Sequence, residues 1–584
     1  MGDKVLTIHT SLSEVFSFVV KILGPEKSYY WLAIVYGIGI SVLSLALPIS
    51  VQMVVNTVAH TALTTPLLVL TLTLFGLLMV AGLLNALRIH LMDLFQRRFY
   101  ARMVSEIALR SIYALNPFFQ DYNKGTLFNR YFDIVVVQKT LPNLLVGGFA
   151  IVLQAAVGFV LVSLYHPLFL LFNIVLIGTI WLVWLLWGGR AIRSAIAVSN
   201  RKHAAAAWVE GLGASNGFFK SEHHIAEALQ RTDAVTREYV DQHRIHFRHN
   251  FSQTLCFLFL YALASAGLLG LGGWLVIQGE LSLGQLVAAE LVLSAVLFGL
   301  SQMGTYLAYF YELCAAIDEL ALFYDVEQED LEEQSGAFEG DASIEFVNAI
   351  GDARGQMVSL DFVIPSGALV FGSAASHGVQ REVTNILKRH IAPKGGYVTI
   401  GQQDIMGIPA HQLRQQVIVL DRPNAIEMTI REYLNLSGEG TSSSRILRTL
   451  RAVDLDVAVS QLEDGLDTRI AATGWPLTIS ETMQLKLAAA IIASPRVLVL
   501  GQLFDTMSGD VLRASLELLR QESETTVIYF SSRPPGIEFD FYLYLGYEAQ
   551  STHDSFEELC RKLDEGPCGS AQSGSDGRDP VPAM

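Results

Sequence analysis

Between Lys27 and Arg88 the chain has no Asp, Glu, Lys or Arg, and between Lys139 and Arg190 it again has none. This constrains the fold more than any other feature, because a helix needs roughly 20 apolar, uncharged residues to cross the hydrocarbon of a bilayer. Each interval holds two crossings, divided by turn-forming residues near His60 to Pro66 and at Tyr165-His166-Pro167. A third interval, Arg248 to Glu312, carries only Glu280 and Glu290 and turns at Gln278-Gly279-Glu280. Three helical hairpins, six spans in all, are expected. A chain of 584 residues that is 51% hydrophobic and only 16% charged is too apolar for an ordinary soluble protein.

Basic residues orient the spans, since Lys and Arg gather in loops that stay in the cytoplasm. None lies in the three hairpin turns. The segment from Arg88 to Lys139 holds Arg97, Arg98, Arg102, Arg110, Lys124 and Arg130, and that from Arg190 to Arg248 holds Arg193, Arg201, Lys202, Lys220, Arg231, Arg237 and Arg244. Both termini and both long loops are therefore expected on the cytoplasmic side, with the helices running on below the bilayer. Leu6 to Leu23 is too short to cross and carries Val15, Phe16, Val19 and Ile22 among polar residues. Residues 1–26 are expected as an amphipathic segment at the membrane surface, not a cleavable signal. The cysteines Cys256, Cys314, Cys560 and Cys568 have no metal-ligand spacing.

After residues 27–322 the character changes. An acidic run, with Glu327, Glu329, Asp330, Glu332, Glu333 and Glu339, reads as a solvated linker over 323–340. From 341 to 562 short β-rich runs (Ala368 to Phe371, Val417 to Leu420, Val497 to Leu500, Thr526 to Phe530) alternate with helical patterns, which predicts an α/β domain with a largely parallel sheet. Residues 563–584 are small and polar with no period, and are expected to be disordered.

Ala368 to Arg389 has the frame of a phosphate-binding loop: an apolar strand, small residues from Gly372 to Gly378, then a helix with Val379, Val383, Ile386 and Leu387 on one face. In the pattern G-x-x-x-x-G-K-[ST], glycine amides cradle phosphates, the lysine reaches the β- and γ-phosphates and the hydroxyl holds Mg²⁺. Here His377 stands at the second glycine, Gly378 at the lysine and Val379 at the hydroxyl. No intact copy of the pattern occurs elsewhere in the chain, and Pro393-Lys394-Gly395-Gly396 opens no helix.

Over nearly its whole length the chain resembles a half-transporter of the ATP-binding cassette (ABC) exporter family. Phe118-Phe119-Gln120 with Gly125, Arg130 and Asp133 resembles that family's first cytoplasmic loop, and Gly272 to Ala288 its turn between the fifth and sixth helices. The latter is closest to exporters of toxins and peptides. Pro393 to Ile405 and Met428 to Leu434 match the framework of the nucleotide-binding domain. The resemblance implies a six-span membrane α-helical domain followed by an α/β ABC ATPase-like domain, and a dimer that builds each site from one chain's phosphate loop and the other's signature.

Residue by residue, the same resemblance implies a site without its chemistry. The adenine-stacking aromatic falls near Ala353, and the glutamine that senses the γ-phosphate at Asp421. The signature reads Leu477-Thr478-Ile479-Ser480-Glu481, with both glycines gone. The metal-binding aspartate is Gly501, the catalytic glutamate Gln502 and the switch histidine Ser532, followed by Arg533. Electrostatic stabilisation is nearly all that phosphoryl-transfer sites supply, and losing one donor costs ~3 kcal/mol or more of it. Hydrolysis is expected to be lost, with Asp421 and Glu481 facing the anion, and no ATP or Mg²⁺ cofactor is expected. The free amides of the helix N-terminus at Gly378 could still hold an anion weakly.

Two functions follow from the resemblance. One is an ATPase-dead subunit that pairs with an active homologue to export a peptide, protein or other amphipathic substrate. The other is a homodimeric scaffold or regulator that reuses the fold without transport. The resemblance also implies a cytoplasmic (inner) membrane as the location; membrane lipids are expected partners and nucleic acid is not. His243, His246 and His249 lie on the cytoplasmic stem of the fifth span, the outer two about 120° apart around the helix, and read as a solvated stem more readily than as a metal site. Glu290 is an intramembrane carboxylate and so a candidate for lining a pathway. Gln52, Asn56, Gln154, Asn173 and Gln302 read equally as helix-to-helix hydrogen bonds or substrate contacts. Pro48 is expected to kink the first span.

Overall fold

The computed structural model describes residues 12–60, 64–115, 124–329, 338, 340–438, 442–531, 533 and 537–564. Phe118-Phe119-Gln120, Ser532, Cys568, half of the acidic linker and nearly all of the C-terminal tail lie outside the described residues. The chain forms two compact units, residues 2–329 and 330–584, the second also including Met1.

The first unit is helical: α1 (Leu12–Leu23), α2 (Lys27–Ser44), α3 (Ala46–His60), α4 (Thr64–Ile112), α5 (Asp133–Asn143), α6 (Phe149–Ser163), α7 (Pro167–Ala214), α8 (Glu222–Ile277), α9 (Leu283–Ser301) and α10 (Met303–Ala321). Among the described residues six stretches are long and apolar enough to cross a membrane: Ser17–Val55, Leu67–Ile112, Leu127–Ser163, Pro167–Ala214, Glu222–Ile277 and Leu283–Ser301. At 1.5 Å per residue, the 49, 48 and 56 residues of α4, α7 and α8 make rods of about 70–85 Å, well beyond a hydrocarbon core of about 30 Å. The first span breaks at Leu45, between α2 and α3. Pro48 accounts for the break, because it has no N–H for the carbonyl of Ser44 and its ring crowds that group. In the third span a π turn, Leu144–Gly148, joins α5 to α6. It lies close against Tyr306, and a Cβ on Gly147 would come within 2.4 Å of that ring.

Buried ion pairs tie the helices together below the apolar belt. Asp133 receives Lys202 Nζ at 2.9 Å and His203 Nε2 at 2.6 Å, so α5 is fixed to α7. Arg130 reaches Glu319 of α10 at 2.5 Å. Arg102 of α4 donates to both carboxylate oxygens of Glu26 and to the carbonyl of Ile22. Arg130 and Asp133, which resemble a family loop motif, thus act here as struts between helices. The end of α1 differs from a helix resting on a lipid surface. Ile22 and Leu23 are buried in a cluster with Phe95, Phe99 and Leu320, while Val20 stays exposed.

His246 also departs from the solvated stem. It shares a 3.0 Å hydrogen bond with Ser194 of α7 and packs edge-on against Tyr311 of α10. Among the described residues no group of His, Cys, Asp or Glu gathers around a metal position. Two of the polar residues in the spans bind helix to helix: Gln52 accepts from Tyr165, and Asn173 donates to the Phe159 carbonyl and to Ser163. The side chain of Asn56 lies outside the described set.

The described residues of the second unit form twelve strands: β1 (Ile344–Ala353), β2 (Gln356–Ile364), β3 (Leu369–Ala374), β4 (Gly395–Ile400), β5 (Gln403–Asp404), β6 (Val417–Leu420), β7 (Met428–Thr429), β8 (Arg469–Ile470), β9 (Val497–Leu500), β10 (Thr526–Phe530), β11 (Phe541–Leu545) and β12 (Gln550–His553). One sheet runs β12-β11-β3-β10-β9-β6, parallel except at β12, and an antiparallel sheet runs β2-β1-β4-β5. Strand β9 is buried at every residue, as a strand covered on both faces should be. Helix α11 (His377–Leu387) follows β3 and buries Val379, Val383, Ile386 and Leu387 between the sheets. Helix α12 (Ile479–Ala493) covers the other face of the parallel sheet.

Candidate functional site

The parallel strands end at one edge, and the loops there carry most of the residues singled out by sequence. Between β3 and α11, Ser376 caps the helix by accepting from Val379 N at 3.4 Å, and Tyr547 donates to the same hydroxyl at 2.8 Å. A cavity of about 70 Å³ opens beside this loop, lined by Gly372, Ser373, His377, Gln380, Gln502 and Ser531 among others. Among the described residues no lysine, aspartate or glutamate lines it. His377 and Gln502 are brought together here.

At Gly372, Val379 and Gly501 local packing accounts for the residue present, while at Gly378 it does not. A Cβ on Gly372 would meet Phe530 of β10 at 2.8 Å, so the first loop glycine is required by the sheet itself. Gly378 lies over Ala353, and an added Cβ would find Ala353 Cβ at 3.4 Å, an ordinary contact. Val379 is fully buried in the core with Ala353 rather than turned to the cavity. Gly501 donates its amide to the Leu420 carbonyl at 2.9 Å. A Cβ there would lie 3.1 Å from Asp421 Cα and 3.3 Å from Asp421 Cβ, so β6 and β9 approach closely because residue 501 has no side chain.

The two acidic residues stand differently from the expectation that they face an anion. Asp421 sits among cations: Arg422 Nε is 4.0 Å away, and the charges of Lys388 and Lys486 bear on it. Burial lowers the pKa of both lysines, and Asp421 acts in the opposite direction. Beside them His390 is pushed down to about 3, first by burial and then by Lys388, Arg414 and Arg422. Glu481 folds back on its own helix. Its Oε2 accepts from Thr478 N at 2.7 Å while Thr478 Oγ1 accepts from Glu481 N at 3.2 Å, a capping box that occupies the start of α12. Ile479 is exposed and Ser480 half-buried beside it. None of these signature residues lines the cavity.

Sequence reasoning missed Gln380 and Ser531. Gln380 is 5% exposed and still reaches the cavity wall, one residue beyond the loop pattern. Nothing in the motif marks it. The capping box, in contrast, is written in the sequence as Thr478-x-x-Glu481.

No protein-family model matches the chain. It is similar to the ABC multidrug transporter mdr2 of Aspergillus fumigatus, 24% identical over 586 residues, or 92% of this chain and 70% of that one. The leukotoxin translocation ATP-binding protein LktB of Mannheimia glucosida is 24% identical over 40% of this chain and 34% of its own length. The multidrug resistance ABC transporter ATP-binding and permease protein of Lactococcus lactis is 26% identical over 45% of this chain and 46% of its own length. The matches to these two thus span less than half of each relative. Among solved structures, a bacterial Atm1-family ABC exporter with ATP bound superposes with a TM-score of 0.77 at 18% identity, covering 95% of this chain and 99% of that one. The chain thus has the fold of an ABC exporter half-transporter and is similar in sequence to ABC transporters: among the described residues, six candidate membrane spans precede an α/β domain of the nucleotide-binding type.

Proposed function

We propose that this chain is an ATPase-dead exporter subunit of a cytoplasmic membrane, with its α/β domain in the cytoplasm. It pairs with an active homologue in the export of a peptide, protein or other amphipathic substrate. The observation that carries the reading is the cavity beside α11. Its wall offers serine, glutamine and histidine where a magnesium nucleotide needs a lysine and a carboxylate. The site does not fit that cofactor, and no catalytic step is assigned to this chain. Degeneracy at Ala353, His377, Gly378, Val379, Asp421, Gly501 and Gln502 supports the same conclusion from sequence.

A second reading is favoured by a separate observation. In a family dimer the start of α12 serves the partner's site, and here Thr478 and Glu481 occupy it with a capping box. A heterodimer would then carry two damaged sites. A homodimeric scaffold or regulator that reuses the exporter fold avoids that conflict. Gentle extraction from native membranes, with the intact mass of the complex measured and every co-purifying chain sequenced, separates the two. A homologue with an intact phosphate loop at one-to-one stoichiometry supports the subunit reading. A complex of twice this chain's mass, or one with unrelated proteins only, removes it.

A further inference from the structure

A cavity of about 710 Å³ lies in the α/β domain where β3 and β11 begin, at the opposite edge of the parallel sheet from the loops above. Helix α13 (Gly509–Glu522) borders it with Arg513, Leu516, Glu517 and Arg520, which share one face of the helix, and Ile537, Glu538 and Tyr542 border it from the chain around β11. Leu516, Ile537 and Tyr542 are buried while the charged residues are exposed, so an apolar floor carries charges along its rim. Along α13 those charges alternate in sign: Arg513, then Glu517 about 6 Å and Arg520 about 10.5 Å further along the axis. Arg513 lies 3.5 Å from Asp510 and Arg520 2.6 Å from Asp540, but a guanidinium has five N–H donors and takes a second carboxylate.

The chain itself supplies a segment of the opposite pattern. Residues 565–584, which lie outside the described residues, follow directly on α14 (Phe556–Asp564). Phe556 packs against Tyr542 with ring centroids 6.3 Å apart, and the nine residues of α14 add about 14 Å, so residue 565 starts within about 20 Å of the cavity. A stretch of eleven residues rich in Gly and Ser, 565–575, spans about 17–20 Å on average. Asp576-Gly577-Arg578-Asp579 comes next and carries the only charged side chains after Glu565. In extended chain Arg578 stands about 7 Å and Asp579 about 10 Å beyond Asp576. Pro580 and Pro582 favour that conformation at Asp579 and Val581, the residues before them.

We propose that this cavity is the docking site for the chain's own segment 576–584, laid along α13 with Asp576 at Arg513, Arg578 at Glu517, Asp579 at Arg520 and Val581 on the apolar floor. Glu538 gives Arg578 a second acceptor. The spacings agree to within about 1 Å in this direction. Reversed, Arg578 would stand about 3 Å along from Arg513, where Glu517 lies at about 6 Å. Exposed ion pairs are individually weak, but the tether holds the segment at an effective concentration of about 1 mM, so an affinity of about 0.1 mM docks it for about nine tenths of the time. Docking needs neither nucleotide nor a second chain, and it shuts this face of the domain to other partners.

The test is hydrogen exchange of the full chain in lipid nanodiscs, read by peptide mass spectrometry and corrected for the intrinsic rate of each sequence. The amides of 576–584 are expected to exchange about tenfold slower than those of a free chain, the retardation that nine-tenths occupancy gives. Glu517→Arg and Arg578→Glu, each alone, should remove most of that protection. The two together, which restore the pair with its signs exchanged, should return it. Arg578→Glu changes no residue of the folded domain, so its effect is independent of the domain's stability. The proposal is overturned if 576–584 exchanges at the free-chain rate, if either single variant keeps wild-type protection, or if the double variant is as unprotected as the singles. It is overturned equally if protection falls when the nanodiscs are diluted tenfold, which would give the cavity to the tail of another copy.

Discussion

Replacing Gly501 by aspartate would restore the carboxylate that the family uses to hold its metal, and in this chain it should destabilise the domain. The new Cβ would lie 3.1 Å from Asp421 Cα and 3.3 Å from Asp421 Cβ, closer than most real contacts, so β6 and β9 must shift by a few tenths of an ångström. The two carboxylates would then lie about 4 Å apart, where like charges near a protein surface repel by about 4 kcal/mol at an effective dielectric of 20. Arg422, Lys388 and Lys486 screen part of that, which leaves a net destabilisation of about 2–4 kcal/mol with the steric term included. Changing Asp421 to glutamine, the family's own residue there, removes the repulsion and leaves only the steric part, about 1 kcal/mol. The amide of Gly501, bonded to Leu420 O at 2.9 Å, reports the effect by hydrogen exchange. Gly501→Asp should speed exchange across β6 and β9 about a hundredfold, and Asp421→Gln added to it should recover most of the loss. Wild-type exchange in Gly501→Asp, or no recovery in the double variant, would refute the reasoning.

Two further predictions follow from buried charges. Asp133→Ala strands Lys202 and His203 without their carboxylate and should cost about 3–5 kcal/mol, seen as a fall in the thermal midpoint of the membrane domain. Asp133→Asn, which keeps an acceptor, should cost less. His390 is held neutral, with its pKa at about 3 against about 6.5 in an unfolded chain. Its contribution is therefore fully present above pH 6.5 and is lost as pH falls towards 3, because the unfolded state takes up the proton first. Between pH 6.5 and 4.5 that loss is about 2–3 kcal/mol, and denaturant titrations of His390→Phe should show a correspondingly flatter acid limb.

The membrane architecture was legible because charge is so unfavourable in hydrocarbon that its absence alone marks the spans. The strand, loop and helix around Gly372 were legible too, since the apolar periods of β3 and α11 survive although the chemistry between them does not. Pro48 gave away the break at Leu45. The surroundings of Asp421 were not legible. Lys388 and His390 follow the end of α11, while Arg414 and Lys486 come from two other helices, and they meet only once the sheet is formed. Glu481 shows a different failure. Its capping box is a local pattern visible in four residues, but alignment to a signature motif reads it as a charge turned outward. The packing reasons for Gly372 and Gly501 were hidden as well, because a glycine's neighbours across a sheet leave no trace in its own stretch of sequence.

The most direct test of the central claim is Mg²⁺-dependent ATP binding and hydrolysis by the purified chain alone in lipid, measured beside a Gln502→Ala variant. The account predicts no saturable binding and no phosphate release above that of the variant. Saturable, Mg²⁺-dependent turnover that disappears in Gln502→Ala would contradict it and would make this chain a working, if divergent, ATPase.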